Sequence, residues 1–385
     1  MSVREELLPL PLEETAKGKA WFFAFFLQFV VGAAIGALAV PFALRALPDV
    51  TLLSLAWLLP TLVLSVWLHV LFHEAGHALA GVAAGFRAVA FGVGPLRLER
   101  SESRWALRWG GGMSGIAGFA MMLPPAGAAL RRGAQAAYLL GGATMNLLLA
   151  GLAVVLLLLA PELTGPAGGA IAIFAMIGVS LGVLNLLPFS ASGWMSDGAG
   201  LRQLWRAPDE ALAMFRWQQL LAASLQGQRP RDWPESLLPH AASAPVLTDN
   251  SVALSLAVFR LSRALDAGDH AQAEMLALAL TQAWPKASAM LRPAIAFSMA
   301  GYAADRCDAT LLRAWRPLAT GSIVDESAHK AWLDAELAQL EGRPAEAAGH
   351  CERAQAALAK VFDAGSRVVL AERLELLRQR VSERV

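Results

Sequence analysis

Apolar residues in the first half of the chain fall into four long runs, with polar residues gathered between them. The runs cover about Ala20 to Leu44, Leu52 to Ala84, Gln135 to Leu159 and Gly169 to Leu187. Roughly 20 consecutive apolar residues are enough for a helix to cross a bilayer, so the pattern predicts four spans. The first run carries Gly32 and Gly36 as a G-x-x-x-G, a spacing that lets a second helix approach closely. Residues 86 to 133 break the pattern. Val89 to Leu98 holds short β-like runs interrupted by Gly and Pro, Trp105 to Trp109 alternates, and Gly110 to Gly115 is glycine-rich. This stretch reads either as a small sheet or as a Gly-rich loop. A sheet would offer an edge to an extended peptide. At membrane depth, such backbone is tolerated only where protein or a water-filled cavity covers it.

The pattern changes again after residue 200. Glu210 to Leu225 is amphipathic, Leu237 to Asn250 is a linker rich in Pro, Ala and Ser, and residues 251–385 read as paired helices. Gly268 and Gly342 each open a G-x-x-x-x-A turn ahead of an Ala-rich stretch, with a weaker turn near Asp305 between them. That period is near the 34 or so residues of tetratricopeptide-like repeats. A non-repeating helical bundle is the alternative. The fold class is therefore mainly α. A polytopic membrane helix bundle of about four spans with a small membrane-associated β segment precedes a soluble, repeat-like helical domain. The expected boundaries are a polar tail over 1–19, a membrane domain over 20–200, a helical linker region over 201–250 and the soluble domain over 251–385.

Composition sharpens this division. Charged residues make up 16% of the chain and mean hydropathy is +0.48, against about 25% charged in ordinary globular proteins. The deficit lies in residues 20–200. A net charge of +1 gives no reason to expect a nucleic-acid partner. The two cysteines, Cys307 and Cys351, form no C-x-x-C and imply no disulfide framework. Acidic residues precede the first run, so no cleavable signal pattern is predicted. Arginines cluster between Arg87 and Arg132, whereas the loops near Pro48 and Pro161 carry Asp49 and Glu162 but no Lys or Arg. By the positive-inside rule the arginine-rich segment is cytoplasmic, and four spans then put both termini in the cytoplasm. The expected location is a bacterial inner membrane, with lipid as one partner.

The candidate chemistry sits in the second run, as His73-Glu74-Ala75-Gly76-His77. Residues four apart share one helix face, so the two histidines can meet one metal ion while Glu74 handles a proton. Ionisable groups in a span are costly and point to function. His69 lies one turn earlier as a third ligand or as a supporting polar residue. Asp197 follows the fourth run at a depth similar to that of the histidines, as a shared metal ligand must.

Three segments in order resemble the site-2 protease family of membrane-embedded zinc metalloproteases. Phe72-His-Glu-Ala-Gly-His77 is similar to its zinc helix. Gly141-Gly-Ala-Thr-Met-Asn146 is similar to its central motif, with Ala143 and Thr144 departing from the usual wording. Asn185-Leu-Leu-Pro188 with Asp197-Gly198 is similar to its third motif, with Phe189 to Ser196 forming a longer loop than most members have. The resemblance covers roughly residues 55–205. It implies zinc held by His73, His77 and Asp197, Glu74 as general acid–base, and Asn146 and Asn185 holding the substrate strand or stabilising an oxyanion. For each asparagine, an amide bonding backbone in a broken helix is the plainer alternative. The expected activity is cleavage of a membrane protein or peptide substrate, with a protein partner at the C-terminal helical domain. The competing class is a non-catalytic membrane scaffold that recruits partners through that domain.

Overall fold

The computed structural model describes residues 3–12, 52–101, 104–109, 118–125, 127–191, 194–238, 251–321 and 325–383. The first expected span, its Gly32 and Gly36, and the glycine run 110–115 lie outside them. The chain divides into two compact units. One comprises residues 16–125 and 129–208; the other comprises 1–15, 126–128 and 209–385.

The first unit is built on three long helices: α2 (Leu52–Ala83), α3 (Arg132–Leu159) and α4 (Gly165–Leu186). All three are long and apolar enough to cross a membrane. Their outward faces are apolar too, with Leu59, Val63, Leu79, Leu152, Leu158 and Leu159 exposed. An apolar coat of that extent is suited to lipid rather than water. The helices hold together through small residues. A Cβ on Gly76 of α2 would lie 2.3 Å from the Gly141 carbonyl oxygen of α3, and a Cβ on Gly141 would lie 2.4 Å from the Gly76 carbonyl oxygen. The two backbones therefore touch at this crossing, and any side chain would force them apart.

Between α2 and α3 the β-like stretch forms a four-stranded antiparallel sheet. Its strands are β1 (Arg87–Val93), β2 (Leu96–Ser101), β3 (Arg104–Trp109) and β4 (Gly118–Leu123), in the order β3-β2-β1-β4. Gly94 at φ +57° makes the tight β1–β2 turn, a conformation that costs glycine little. Strand β4 packs against α2, and the Tyr138 hydroxyl of α3 donates to the Ala120 carbonyl at 2.8 Å. After α4, the two-residue strands β5 (Ser190–Ala191) and β6 (Trp194–Met195) form a small hairpin that leads into α5 (Asp197–Arg206).

The second unit is helical: α1 (Val3–Glu6), α6 (Pro208–Leu225), α7 (Ser251–Ala267), α8 (His270–Ala283), α9 (Arg292–Asp305), α10 (Ala309–Trp315), α11 (Ser327–Leu340), α12 (Pro344–Ala357) and α13 (Ala364–Ser382). Three pairs, α7–α8, α9–α10 and α11–α12, turn at equivalent points. Gly268 and Gly342 have φ of +71° and +73°, and Cys307 occupies the middle turn at φ +52°. Asp269 and Asp308 cap the helices that follow the first two turns, accepting from the Gln272 and Leu311 N–H groups. Each second helix ends in a 3-10 turn, at Trp284–Lys286, Arg316–Leu318 and Leu358–Lys360. In the first two of these, Trp284 and Trp315 pack edge to face at 5.1 Å. The three turns share a left-handed residue, and the middle one is weak in sequence because a cysteine stands where its counterparts are glycine.

Near the N-terminus Leu7 is buried in the helical core, and the Trp315 indole N–H donates to its carbonyl at 2.9 Å. Within the helical stretch that begins at residue 201, α5 belongs to the first unit and α6 to the second. Arg229 adds a polar tie, donating to both Asp266 and Glu372 and so joining α7 to α13.

Candidate metal centre

Helix α2 presents His69, His73 and His77 on consecutive turns of one face, and all three are buried. Opposite them, α3 contributes a glycine. A Cβ on Gly142 would lie 2.5 Å from His77 Nε2 and 2.7 Å from His73 Nε2, so the bare backbone makes the space that both rings occupy. Asp197 enters from the first turn of α5, where the positive end of the helix favours a carboxylate.

The long loop after Pro188 does not leave Asp197 loose. The hairpin β5–β6 takes up the extra residues, and Ser196 ties its base together. The Ser196 hydroxyl accepts from the Phe189 N–H at 3.1 Å and from the Ala199 N–H at 3.1 Å, and donates to the Leu187 carbonyl at 2.5 Å. Gly198 lets α5 abut the end of α4, since a Cβ there would lie 1.9 Å from the Leu186 carbonyl oxygen. The Ser-Asp-Gly order has a local reason at each position: cap, ligand and close contact.

The result is a triangle of ligand atoms. His73 Nε2 and His77 Nε2 are 3.1 Å apart, and Asp197 Oδ2 lies 3.2 Å from the first and 3.4 Å from the second. Tetrahedral ligands with bonds of about 2.05 Å stand about 3.3 Å apart, so the triangle has the size a single metal ion requires. The other ring nitrogens support this. His77 Nδ1 donates to the Tyr138 carbonyl at 2.7 Å, which leaves Nε2 with a free lone pair. Asp197 Oδ2 is buried with no hydrogen bond of its own. Three buried lone-pair atoms facing one another at this spacing suit a cation.

Asn146 is fully buried between the other two histidines. Its Nδ2 lies 3.3 Å from His73 Nδ1 and its Oδ1 3.2 Å from His69 Nδ1, while His69 Nε2 donates to the Phe174 carbonyl at 2.9 Å. A neutral His69 that gives its proton to Phe174 must accept at Nδ1. Turning the amide over satisfies this: its NH2 then donates to His69 Nδ1 and its oxygen accepts from His73 Nδ1–H, the tautomer that leaves His73 Nε2 free for metal. This places His69 outside the ligand triangle, in the supporting position. The Asn185 amide donates to the Leu181 carbonyl one turn back in its own helix at 3.0 Å, the plainer of its two expected roles.

Glu74 is buried beside the triangle without belonging to it. The Ala120 N–H of β4 faces its carboxylate, and a Cβ on Gly118 would lie 2.9 Å from its Cγ. Strand β4 therefore runs directly over the candidate proton carrier. Sequence reasoning did not single out Tyr138 or Gly118. Gly142 and Ser196 fell within stretches it did read, without a role of their own, although Ser196 carried a usable signal as a cap residue directly before an Asp-Gly helix start.

Comparison with known proteins finds no similarity to report: no family model, curated protein or solved structure matches the chain.

Proposed function

We propose that the chain is a membrane-embedded zinc endopeptidase that cuts a membrane-associated protein segment at or near the bilayer. The observation that carries this reading is the buried triangle of His73, His77 and Asp197 with the Glu74 carboxylate beside it. Two imidazole nitrogens and one carboxylate oxygen make a three-ligand set, the count typical of catalytic zinc, which keeps a fourth position open. Zinc held there would polarise a peptide carbonyl and acidify a water molecule.

The protein groups divide the remaining work. Glu74 accepts a proton from the attacking water on a carboxylate oxygen and returns it to the departing amine nitrogen, so the peptide bond breaks with one water consumed. Asn146 acts through His73, holding its Nδ1–H so that Nε2 stays aimed at the metal. The Tyr138 carbonyl does the same for His77. Asn185 is bonded within its own helix and is given no part in proton transfer. The reading retains a multi-pass protein of the bacterial inner membrane with both termini cytoplasmic, and a protein-recruiting role for the C-terminal helices.

The test is Glu74→Gln, which keeps size and removes basicity. Zinc content and turnover are measured on the same preparation, and membrane proteomes of wild-type and variant cells are compared. The variant should keep its zinc, lose roughly 10²–10⁴-fold in cleavage, and accumulate an uncut membrane protein. Identical proteomes with equal zinc would remove the enzyme in favour of a scaffold.

A further inference from the structure

The helical unit contains an open cavity of about 180 Å3 lined by residues of α7, α9, α11 and α13. Its charged lining is one-sided. Arg373 projects from α13 and stacks over the Trp332 ring at 5.2 Å. Among the described residues no acceptor hydrogen-bonds its guanidinium. Gly301 of α9 lies alongside it, with Arg373 Nη1 3.9 Å from where a Cβ would stand, an ordinary contact distance. The Ser298 hydroxyl of α9 and the His329 imidazole of α11 line the same cavity, and neither has a hydrogen-bond partner among the described residues. Burial pushes the His329 imidazole down to about 4, so near neutral pH it is uncharged and offers one N–H. No described lining residue is acidic.

Three part-buried polar groups without hydrogen-bond partners among the described residues, on three helices, line a space whose other walls include Leu265, Phe297, Trp332 and Leu370. A guanidinium with no paired carboxylate beside an apolar wall is matched by a ligand that brings its own acceptor. The nearby carboxylates do not supply it. Asp266 is held by Arg229 and by the Arg231 N–H; Glu336 Oε1 is held by Arg380, and its buried Oε2 makes no hydrogen bond to Arg373. Asp305, Asp266 and Glu336 act on Arg373 only through space. Burial pushes the Arg373 guanidinium down from its ordinary value and these three carboxylates oppose that shift, while their like charge disfavours a dianion such as phosphate. An adjoining cavity of about 400 Å3 shares Trp332 and Arg373 and adds Asp305, Glu336 and Glu383 with Arg380, so it is the less suited of the two to an anion.

We propose that this cavity binds a monocarboxylate with a compact apolar body, its carboxylate on Arg373 and Ser298 and its apolar part against Trp332, Phe297 and Leu370. A planar guanidinium matches a carboxylate in two-point geometry. A cavity of this size admits a fragment somewhat larger than benzene, which suits a short branched acid or the last residue of a peptide chain. The two sources share one chemistry. The site is separate from the metal centre, and its failure would leave the metal reading untouched.

The test is calorimetric titration of the full-length protein in detergent micelles. The probes are 4-methylpentanoate, 4-methylpentanamide, N-acetyl-leucine, N-acetyl-leucinamide and inorganic phosphate. Saturable binding of at least one carboxylate is expected, with a Kd near or below ~1 mM for so small a ligand. The matching amide should bind at least tenfold more weakly. Retained binding of N-acetyl-leucine assigns the site to chain ends, and binding of 4-methylpentanoate alone assigns it to free acids. Arg373→Gln should weaken the carboxylate at least tenfold and Ser298→Ala by a smaller factor. The acid–amide comparison on the wild-type chain decides the matter even if the arginine variant fails to fold. Equal binding of acid and amide, preference for phosphate, or no carboxylate binding would overturn the proposal.

Discussion

Replacing Gly142 by Ala tests the geometry of the centre without touching any ligand. In an ordinary helix interior Gly→Ala is favourable by up to about 1 kcal/mol, because alanine loses less backbone freedom on folding. Here the added methyl would lie 2.5 Å from His77 Nε2, 2.6 Å from His73 Cε1 and 2.7 Å from His73 Nε2. Ordinary contact begins near 3.4 Å, so something must move by nearly 1 Å. If α3 retreats, it opens the crossing at Gly76 and Gly141, where the two backbones already touch. If the imidazole rings swing away, they undo a triangle with edges of 3.1 to 3.4 Å, and metal sites tolerate only about 0.2 Å of error. Overpacking of this kind costs about 1–3 kcal/mol, enough to reverse the propensity gain. Gly151 of the same helix is the control, since nothing lies within 4 Å of a Cβ there. The assay is zinc content after dialysis against a weak chelator, with thermal unfolding in the same detergent. Gly142→Ala should melt lower than wild type and lose most of its metal, whereas Gly151→Ala should match or exceed wild type in both. Full zinc and an unchanged melting temperature in Gly142→Ala would refute the placement of the histidines against α3.

Three further outcomes follow from other parts of the molecule. Asn146→Leu should lower zinc affinity by about 10–100-fold in competition with a chelator, and His69→Ala should act in the same direction, because the relay that aims His73 Nε2 would be cut. Unchanged affinity in both would show that His73 needs no such support. Cys307→Gly should raise the melting temperature of the helical unit, since a left-handed non-glycine residue costs about 1–2 kcal/mol and glycine returns roughly 0.5–1 of that as unfolded-chain entropy. No rise would mean that the Cys307 side chain makes compensating contacts. His329 should make the helical unit acid-sensitive in a defined window: its folded value of about 4 lies below its unfolded value near 6.5, so its contribution is complete above pH 6.5 and is lost as pH falls from 6.5 to 4. The full effect is at most about 3 kcal/mol, and His329→Gln should flatten that part of the stability profile in a pH-resolved melt.

Much of the centre was legible because its rules are local. Apolar runs set span length, and the second, third and fourth runs became helices within a few residues of their expected ends. Spacing of four put His73 and His77 on one face before any partner was known, since helix pitch depends on nothing outside the helix. The β-like runs between 87 and 109 also formed strands where alternation and glycine placed them.

Tertiary structure decided what depended on residues far apart in sequence. His69 and Asn146 stand 77 positions apart, and only the crossing of α2 with α3 makes them partners. That crossing needs glycine at 76, 141 and 142, and glycine in a span can equally mean close packing, a kink or nothing. The same limit holds in the helical half. Leu7 entered a core more than three hundred residues downstream because its carbonyl meets Trp315, a contact that no local pattern encodes. The turn at Cys307 hid the middle repeat because sequence reports a preference for glycine, while the fold needs only a left-handed φ. Arg373, unremarkable as one arginine in an amphipathic helix, acquired meaning only when four helices lined a cavity around it beside Ser298 and His329.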